Sequence, residues 1–455
     1  MKIAKVEAFR VYPKVIKEAW VDDEYVWPSQ PPSFLIKATA ENGDYGVGEA
    51  TSQVWYLGET AAHIEACVAL YDNALRGRDP RNFALIHHLM EAQMSGGMPG
   101  GRGARSGVDM AIYDLVGKAL GVPVYGLLGG AFRTEFEMLT NLYHKTPEAM
   151  AAACKECVEE GFKGLKVKVG DTVLAKGWNR GNLLSELAIL RAALDVVPTD
   201  VYIDADANQG WRSAQWTVAL LKRFAGHDNL SIEQPLPYAD ITGAAFVRAH
   251  AGVPVILDES IWSPEALMNV VRAEACDRMV LKLNRLGGFY PAAQAIAICE
   301  AAGIGVSVDT NPYTIVGDTA VCHIAAIART PYPVDCEGHV SFLDIGDPNP
   351  FRGGRNHCQR RRARPDPQAG RHRAVPERRR VAGFRAQGAA RPHRRARRGR
   401  GAGGVPRVPR RVLHHRSAHP CERRLDLRTQ RFAVESRGSG EPVDRRYFRQ
   451  ERSLR

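Results

Sequence analysis

The chain has 455 residues and a formal net charge of +12, but two parts of it differ sharply in charge. Residues 351–455 contain 32 Arg, no Lys and 8 acidic residues, giving +24, whereas residues 1–350 contain 30 basic and 42 acidic residues, giving −12. No run reaches the roughly 18 apolar residues of a membrane helix, and the N-terminus lacks the apolar region of a signal peptide. The 9 cysteines form no framework, so we expect a cytoplasmic protein with reduced thiols.

Residues 1–130 are predicted to form an α+β domain. The segments KVEAFRVY and SFLIKATA have strand composition, and ENGDYGVGE supplies a turn between extended segments. A helix is predicted next, because apolar residues from Val108 to Ala119 recur on one helical face. Gly121 and Pro123 are typical helix-stop signals.

Residues 131–348 show a different pattern, in which short apolar strands alternate with helices. The predicted strands are EMLTNLY, GLKVKVG, VYIDAD, LSIEQ, PVILDE, RMVLKL, GVSVD and YPVDCE. Helical segments such as SPEALMNVVRAEA lie between them. Eight strands with intervening helices over about 200 residues predict a parallel (β/α) barrel.

Three acidic residues stand at the ends of successive predicted strands. They are Asp206 in IDADANQGW, Glu233 in LSIEQPLP and Asp258 in VPVILDES, separated by 27 and 25 residues. The strands of a barrel end around a single mouth, so three hard oxygen ligands would meet there. Each carboxylate alone could be a cap or a salt-bridge partner. Together they predict a site for Mg²⁺, with Mn²⁺ as an alternative.

Lysines occupy the same level of the predicted barrel. Lys166 and Lys168 lie in GLKVKVG, and Lys282 follows Asp258 by 24 residues. Residues i and i+2 of a strand face the same way, so Lys166 and Lys168 should both point into the mouth. Their ammonium groups would repel each other, and a nearby dication acts in the same direction. We therefore expect one of them to lose its proton more easily and serve as a general base.

Counting strands places Lys168 on the second strand and Lys282 on the sixth, on opposite sides of an eight-stranded barrel. A substrate carboxylate bound between them would present its α-carbon to one amine on each face. This arrangement predicts removal of a proton from one face and return of a proton to the other.

Six motifs in this order resemble the enolase superfamily: GVDMAIYDLVGKALGVPVYGLLGG, KVK, DAN, IEQP, DES and K-x-N-R-x-G-G. Within it, residues 1–350 are similar to the muconate-lactonizing-enzyme subgroup of the mandelate racemase and muconate lactonizing enzyme family. The resemblance implies a capping domain over a (β/α)₇β TIM-type barrel, one Mg²⁺, and abstraction of a proton α to a carboxylate. It also implies that Lys168 is the base and that Lys166 tunes its pKa.

Further site residues are expected around these groups. Asn208 and Glu259 lie within two positions of the predicted ligands and are expected to support them. Asp309, after the seventh strand, falls where relatives often place a glutamate that contacts the substrate. Asp335 and Glu337 are similar to the paired acids that bind an ammonium group in dipeptide epimerases, although the surrounding CEGHVSF departs from that pattern.

The predicted function is a Mg²⁺-dependent racemase or epimerase that acts on a small carboxylate, such as an amino-acid derivative, through an enediolate. A lactonising cycloisomerase and a dehydratase of an acid sugar or hydroxy amino acid remain alternatives, because both use the same parts. An inactive product of a frameshifted gene is a further alternative. We expect a homo-oligomer with no nucleic-acid or membrane partner.

The segment 349–455 requires its own explanation. Its abundance of Arg, Ala, Gly, Pro and His without Lys is typical of a GC-rich gene read in the wrong frame. We predict a frameshift near residues 350–355, a disordered tail, and loss of the glycine- and proline-containing segment with which relatives usually close on the cap. A nucleic-acid-binding arm is the alternative, which the absence of Lys disfavours.

Overall fold

The computed structural model describes residues 1–15, 32–52, 54–94, 100–170, 173, 176–311, 313–335 and 343–344. The predictions for Glu337 and for the tail 349–455 lie outside these residues and stay predictions. Within the described part of the chain, no helix has the length and apolar character needed to cross a membrane.

The N-terminal region is built on a three-stranded antiparallel sheet packed against helices. Its strands, in the order β1-β3-β4, are β1 Ile3–Val11, β3 Ser33–Ala40 and β4 Tyr45–Thr51, and its helices are α1 Val54–Leu57, α2 Ala61–Leu75, α3 Phe83–Ala92, α4 Arg102–Leu120 and α5 Val124–Leu127. The predicted helix is therefore α4, which ends where Gly121 adopts φ 67°. Helix α4 lies directly on β4, because a Cβ at Gly48 would come within 2.1 Å of the Gly107 carbonyl oxygen.

The barrel follows with eight parallel strands in the order β11-β10-β9-β8-β7-β6-β5-β12. The strands are β5 Met138–Leu142, β6 Gly164–Lys168, β7 Tyr202–Asp206, β8 Leu230–Glu233, β9 Val255–Leu257, β10 Arg278–Leu281, β11 Gly305–Val308 and β12 Val334–Asp335. The helices are α6 Pro147–Glu160, α7 Arg180–Leu194, α8 Ala214–Leu221, α9 Ile241–His250, α10 Pro264–Arg272, α11 Leu283–Leu286, α12 Phe289–Ala302 and α13 Ile315–Ile327. Helices occupy all seven connections, so the predicted (β/α)₇β barrel with an α+β cap is confirmed.

Local sequence signals account for the boundaries of these elements. Helix α10, for example, begins after Ser263, whose hydroxyl accepts a hydrogen bond from the Ala266 N–H, with proline at the first helical position. The barrel strands are buried on both faces and read as short apolar runs. The charged residues within or just after those runs are the exceptions, and they are the ones that matter for the site.

Two buried carboxylates of the cap hold it on the barrel. Glu49 of β4 accepts hydrogen bonds from the Thr314 N–H (3.0 Å) and hydroxyl (2.6 Å) and from the Gly317 N–H (2.9 Å), at the start of α13. Asp109 of α4 accepts one from the Phe289 N–H (2.5 Å), at the start of α12. Both barrel helices begin soon after the C-terminal end of a strand, so the cap sits at the mouth of the barrel.

A last short strand, β13 Leu343–Asp344, pairs antiparallel with β2 Lys14–Val15. The chain thus returns from the barrel to the region of the first cap strand. The domain boundaries at residues 130 and 348 stay predictions.

Candidate active site

The candidate catalytic residues form a row across neighbouring strands. Lys168 at the end of β6 is in register with Asp206 at the end of β7, which is in register with Glu233 at the end of β8. Asp258 follows β9, the next strand of the sheet. All three carboxylates are buried, with exposures of 0 or 1%. The strand periodicity in the sequence is what brings them side by side.

Lys168 is held by two residues at the C-terminal end of the neighbouring strand β7, Asp206 and Asn208. Its Nζ donates to Asp206 Oδ2 at 2.5 Å and to Asn208 Oδ1 at 3.0 Å. Asn208, at φ 38°, also donates its backbone N–H to Asp206 Oδ1 (3.0 Å) and its side-chain amide to Glu259 Oε1 (3.3 Å). Asn208 thus connects the lysine, one candidate ligand and Glu259, although the supporting role predicted for Asn208 and Glu259 stays a prediction.

The other two lysines meet at Asp309. Lys166 Nζ donates to Asp309 Oδ2 at 2.6 Å, and Lys282 Nζ lies 3.3 Å from the same oxygen. Lys166 is also 3.0 Å from Glu233 Oε2, and Lys282 donates to Asp258 Oδ2 at 3.0 Å. Asp309 is 3% exposed; its Oδ2 faces both lysines, and its Oδ1 accepts a hydrogen bond from the Thr310 N–H at 2.6 Å. The substrate contact predicted for Asp309 therefore stays a prediction, and the structure gives it a second task as a shared counter-ion.

Two charged residues of this network had no role in the sequence analysis. Arg285 Nη1 donates to Asp258 Oδ1, and its side chain is 5% exposed. Asp204, 4% exposed, approaches Lys166 Nζ at 3.9 Å from two positions before Asp206. Strand alternation could have identified Asp204, and the K-x-N-R-x-G-G motif contains Arg285, but neither signal says which acid an arginine will contact.

Burial and crowding of negative charge raise the pKa values of several acids. The pKa of Glu233 lies well above its ordinary value, because burial is reinforced by repulsion from Asp204 and Asp206. Burial raises the pKa of Asp258 to about 6, against the attraction of Lys282. Burial and the Asp258 charge raise the pKa of Glu259 to about 8. Glu233, Asp258 and Glu259 therefore favour a further positive charge nearby.

The pKa values of the lysines are set by their acidic neighbours. Burial and repulsion from Lys166 both act to lower the pKa of Lys168, but the combined attraction of the acids, chiefly Asp206 and then Glu233, outweighs them and the pKa is raised. The pKa of Lys166 is also raised, because Asp309 and Glu233 outweigh burial. Repulsion between the lysines therefore does not by itself bring either pKa nearer neutral pH. The expectation also included a nearby dication, and for the metal-bound site it stays a prediction.

The donor set fits a hard dication in its chemistry and position. Asp206, Glu233 and Asp258 supply oxygen ligands from three adjacent strand ends, where the acids repel one another. Among the described residues, however, no three acidic, His or Cys side chains are gathered at metal-ligand spacing. Each carboxylate is instead turned toward a lysine or arginine. The predicted metal site therefore stays a prediction.

Comparison with known proteins shows to which family the chain belongs. Residues 29–129 match the profile of the mandelate racemase / muconate lactonizing enzyme N-terminal domain, and residues 149–361 match the enolase C-terminal domain-like profile. The N-succinyl-L-Arg/Lys racemase of Bacillus cereus is 30% identical over 322 residues, which cover 70% of this chain and 83% of that protein. The chain belongs to the mandelate racemase/muconate lactonizing enzyme family of the enolase superfamily.

Other members of this family are also similar to the chain. The L-Ala-D/L-Glu epimerase of Bacillus subtilis is 29% identical over 331 residues, covering 72% of this chain and 86% of that protein. The dipeptide epimerase of Enterococcus faecalis, solved with Mg and L-Leu-L-Tyr, superposes with a TM-score of 0.66 at 27% identity, covering 75% and 92% of the two chains.

A chloromuconate cycloisomerase of Pseudomonas putida and a cis-3-hydroxy-L-proline dehydratase of Roseibium aggregatum are relatives as well. The chain is thus an enzyme of a family of racemases, epimerases and cycloisomerases, in which a dehydratase also occurs.

Proposed function

We propose that the protein is a divalent-cation-dependent racemase or epimerase that removes the proton α to the carboxylate of an amino-acid-derived substrate. One observation carries the proposal. Lys168 ends β6 and Lys282 follows β10, four strands away in the barrel, and the three acids at the ends of β7, β8 and β9 lie between them. This places an amine on each side of the position that a substrate carboxylate would occupy at the acids.

Asp206, Glu233 and Asp258 are the residues that would hold Mg²⁺, or Mn²⁺ in its place. When bound, the dication compensates the charge that develops on the substrate carboxylate as the α-proton leaves. The solved dipeptide epimerase with Mg supports this choice of ion. Asn208 and Glu259 would fix the orientation of the Asp206 side chain, because Asn208 donates one hydrogen bond to Asp206 and another to Glu259.

The lysines carry the proton transfers. The side chains of Lys168 and Lys282 are 12% and 10% exposed, whereas that of Lys166 is 3% exposed. The first two therefore retain access to the mouth, and Lys166 lies deeper among the acids. Lys168 would take the α-proton from one face, and Lys282 would return a proton to the other face, which inverts the α-carbon.

The relatives define the substrates to try first. The Bacillus cereus enzyme is named for N-succinylated arginine and lysine, and the epimerases for dipeptides. We propose an N-acylated amino acid or dipeptide as the substrate class. A cycloisomerase or dehydratase would use one lysine as base and leave the other to stabilise charge, so these alternatives predict exchange at only one face.

The test is α-proton exchange in D₂O followed by NMR, with N-succinyl-L-lysine, N-succinyl-L-arginine, L-Ala-L-Glu and their α-epimers. We expect exchange and inversion that require added Mg²⁺ or Mn²⁺. Asp206→Asn and Glu233→Gln should each abolish turnover while the circular dichroism spectrum is retained. Asp200→Asn, which removes an exposed carboxylate paired with Lys163 at 2.8 Å, is the matched control and should stay active. Full activity of metal-stripped protein in excess EDTA would contradict the metal assignment.

A further inference from the structure

An aromatic ring covers Lys168 on the side away from its carboxylate. Tyr143 directly follows β5, whose last residue, Leu142, is in register with Val167 of β6. This register sets Tyr143 beside Lys168. The Lys168 Nζ lies 5.6 Å from the centroid of the tyrosine ring, and Tyr143 is 8% exposed. The contact is thus fixed by strand pairing and is largely shielded from water.

The geometry suits an interaction between a cation and a ring face. A lysine ammonium within about 6 Å of a ring centroid is attracted by the negative face of the ring, and more strongly when water is excluded. Asp206 and Asn208 hold the same nitrogen from the next strand. The Lys168 amine is therefore confined between two neighbouring strands, with the ring on one side and the polar pair on the other.

We propose that Tyr143 is a positioning residue for Lys168. The face of the tyrosine ring stabilises the positive charge that develops on Lys168 Nζ as this lysine takes the α-proton. This inference rests on the proposed function, in which the proton leaves the α-carbon and the electron pair of Nζ forms the new N–H bond. The ring makes its contribution as charge appears on nitrogen, so it acts on the transition state as well as on the ammonium product.

The effect should be confined to one face of the substrate. Lys282 follows β10, four strands from β6, and is held by Asp258 and Asp309. Weakening the attraction between the ring at position 143 and the Lys168 ammonium should thus slow exchange of the enantiomer whose α-proton faces Lys168. Exchange of the other enantiomer, taken by Lys282, should not change. A merely structural role of Tyr143 would slow both.

The experiment replaces Tyr143 with phenylalanine and then with phenylalanines that carry one, two and three ring fluorines. Fluorine withdraws electron density from the ring face with little change in shape, so folding is preserved while the attraction for a cation falls. Exchange of N-succinyl-L-lysine and of N-succinyl-D-lysine is measured separately in D₂O. If another compound of the substrate panel exchanges faster, the two α-epimers of that compound are used instead.

We expect the rate for the Lys168 face to fall stepwise with fluorine number, by about 3- to 30-fold across the series, the range that cation–ring energies give. The rate for the Lys282 face should stay constant. Tyr143→Leu should reproduce the full one-sided loss. Tyr332→Leu, which removes a ring 3.4 Å from the Arg278 guanidinium, is the control and should show no such asymmetry.

A flat series, or equal losses at both faces, would overturn the role of Tyr143 while leaving the two-lysine proposal intact, provided that the wild-type protein exchanges both enantiomers. Wild-type protein that exchanges neither enantiomer of any panel compound would overturn both proposals.

Discussion

Asp309 is the residue at which the structure and the sequence lead to different experiments. As a substrate contact, it could be replaced by asparagine with little loss of stability. In the structure, one carboxylate oxygen serves Lys166 at 2.6 Å and Lys282 at 3.3 Å, and the two lysine side chains are 3% and 10% exposed. Removing one partner of a buried ion pair costs about 3–5 kcal/mol, because the remaining charge stays buried. Each lysine keeps a second carboxylate, so we expect Asp309→Asn to cost about 3 kcal/mol.

The measurement is urea unfolding followed by tryptophan fluorescence in excess EDTA, so that the protein's own charges are compared. Asp200→Asn is the matched control, since its 2.8 Å pair with Lys163 has the same chemistry and its side chain is 70% exposed. The control should lose much less stability than Asp309→Asn, because exposed ion pairs contribute little. A loss for Asp309→Asn as small as that of the control would refute the shared counter-ion.

Three further predictions concern the cap and the tail. In urea unfolding, Gly288→Ala should destabilise the protein by about 1–3 kcal/mol more than Gly161→Ala. The reason is that a Cβ at position 288 would lie 2.3 Å from Asp109 Oδ2 and disturb the buried hydrogen bond that this oxygen accepts from the Phe289 N–H, whereas a Cβ at position 161 meets no atom within 4 Å. Equal losses would contradict this prediction. Burial raises the pKa of Glu49. The stabilisation that Glu49 gives relative to Glu49→Gln should therefore be complete below about pH 4.5 and be lost as the pH rises through the folded pKa, by no more than about 1.4 kcal/mol per pH unit. A difference in unfolding free energy that does not change with pH would contradict this prediction. Resequencing codons 345–360 should restore a frame with lysines and a glycine-rich ending, and an unchanged frame would refute the frameshift.

The sequence was sufficient for the barrel and for the row of site residues, for a physical reason. Strand ends in a (β/α) barrel meet at one mouth, and the spacing of Asp206, Glu233 and Asp258 matches one strand-plus-helix unit. Local patterns fix such positions, because strand alternation decides which side chains point inward. The same argument placed Lys166 and Lys168 on the inner face.

What the sequence could not give is the pairing of charges within the mouth. Whether Arg285 contacts Asp258 depends on side-chain reach between neighbouring strand ends, and whether Asp309 joins two lysines depends on the reach of Lys166 from a distant strand; neither has a local signal. The pKa of Lys168 depends on the same pairing, because Asp206 acts as its counter-ion in the structure. The sign of such a shift follows from the full set of neighbours.

The central claim is that two lysines act on opposite faces of the α-carbon, and stereospecific exchange in D₂O tests it most directly. We predict that wild-type protein exchanges both enantiomers, that Lys282→Ala retains exchange only of the enantiomer served by Lys168, and that Lys168→Ala retains only the other. Each lost exchange should fall by about 10²–10⁴-fold, the usual effect of removing a general base. If both variants lose exchange of the same enantiomer and neither affects the other, the two-base racemase is wrong and one-base elimination or cycloisomerisation replaces it.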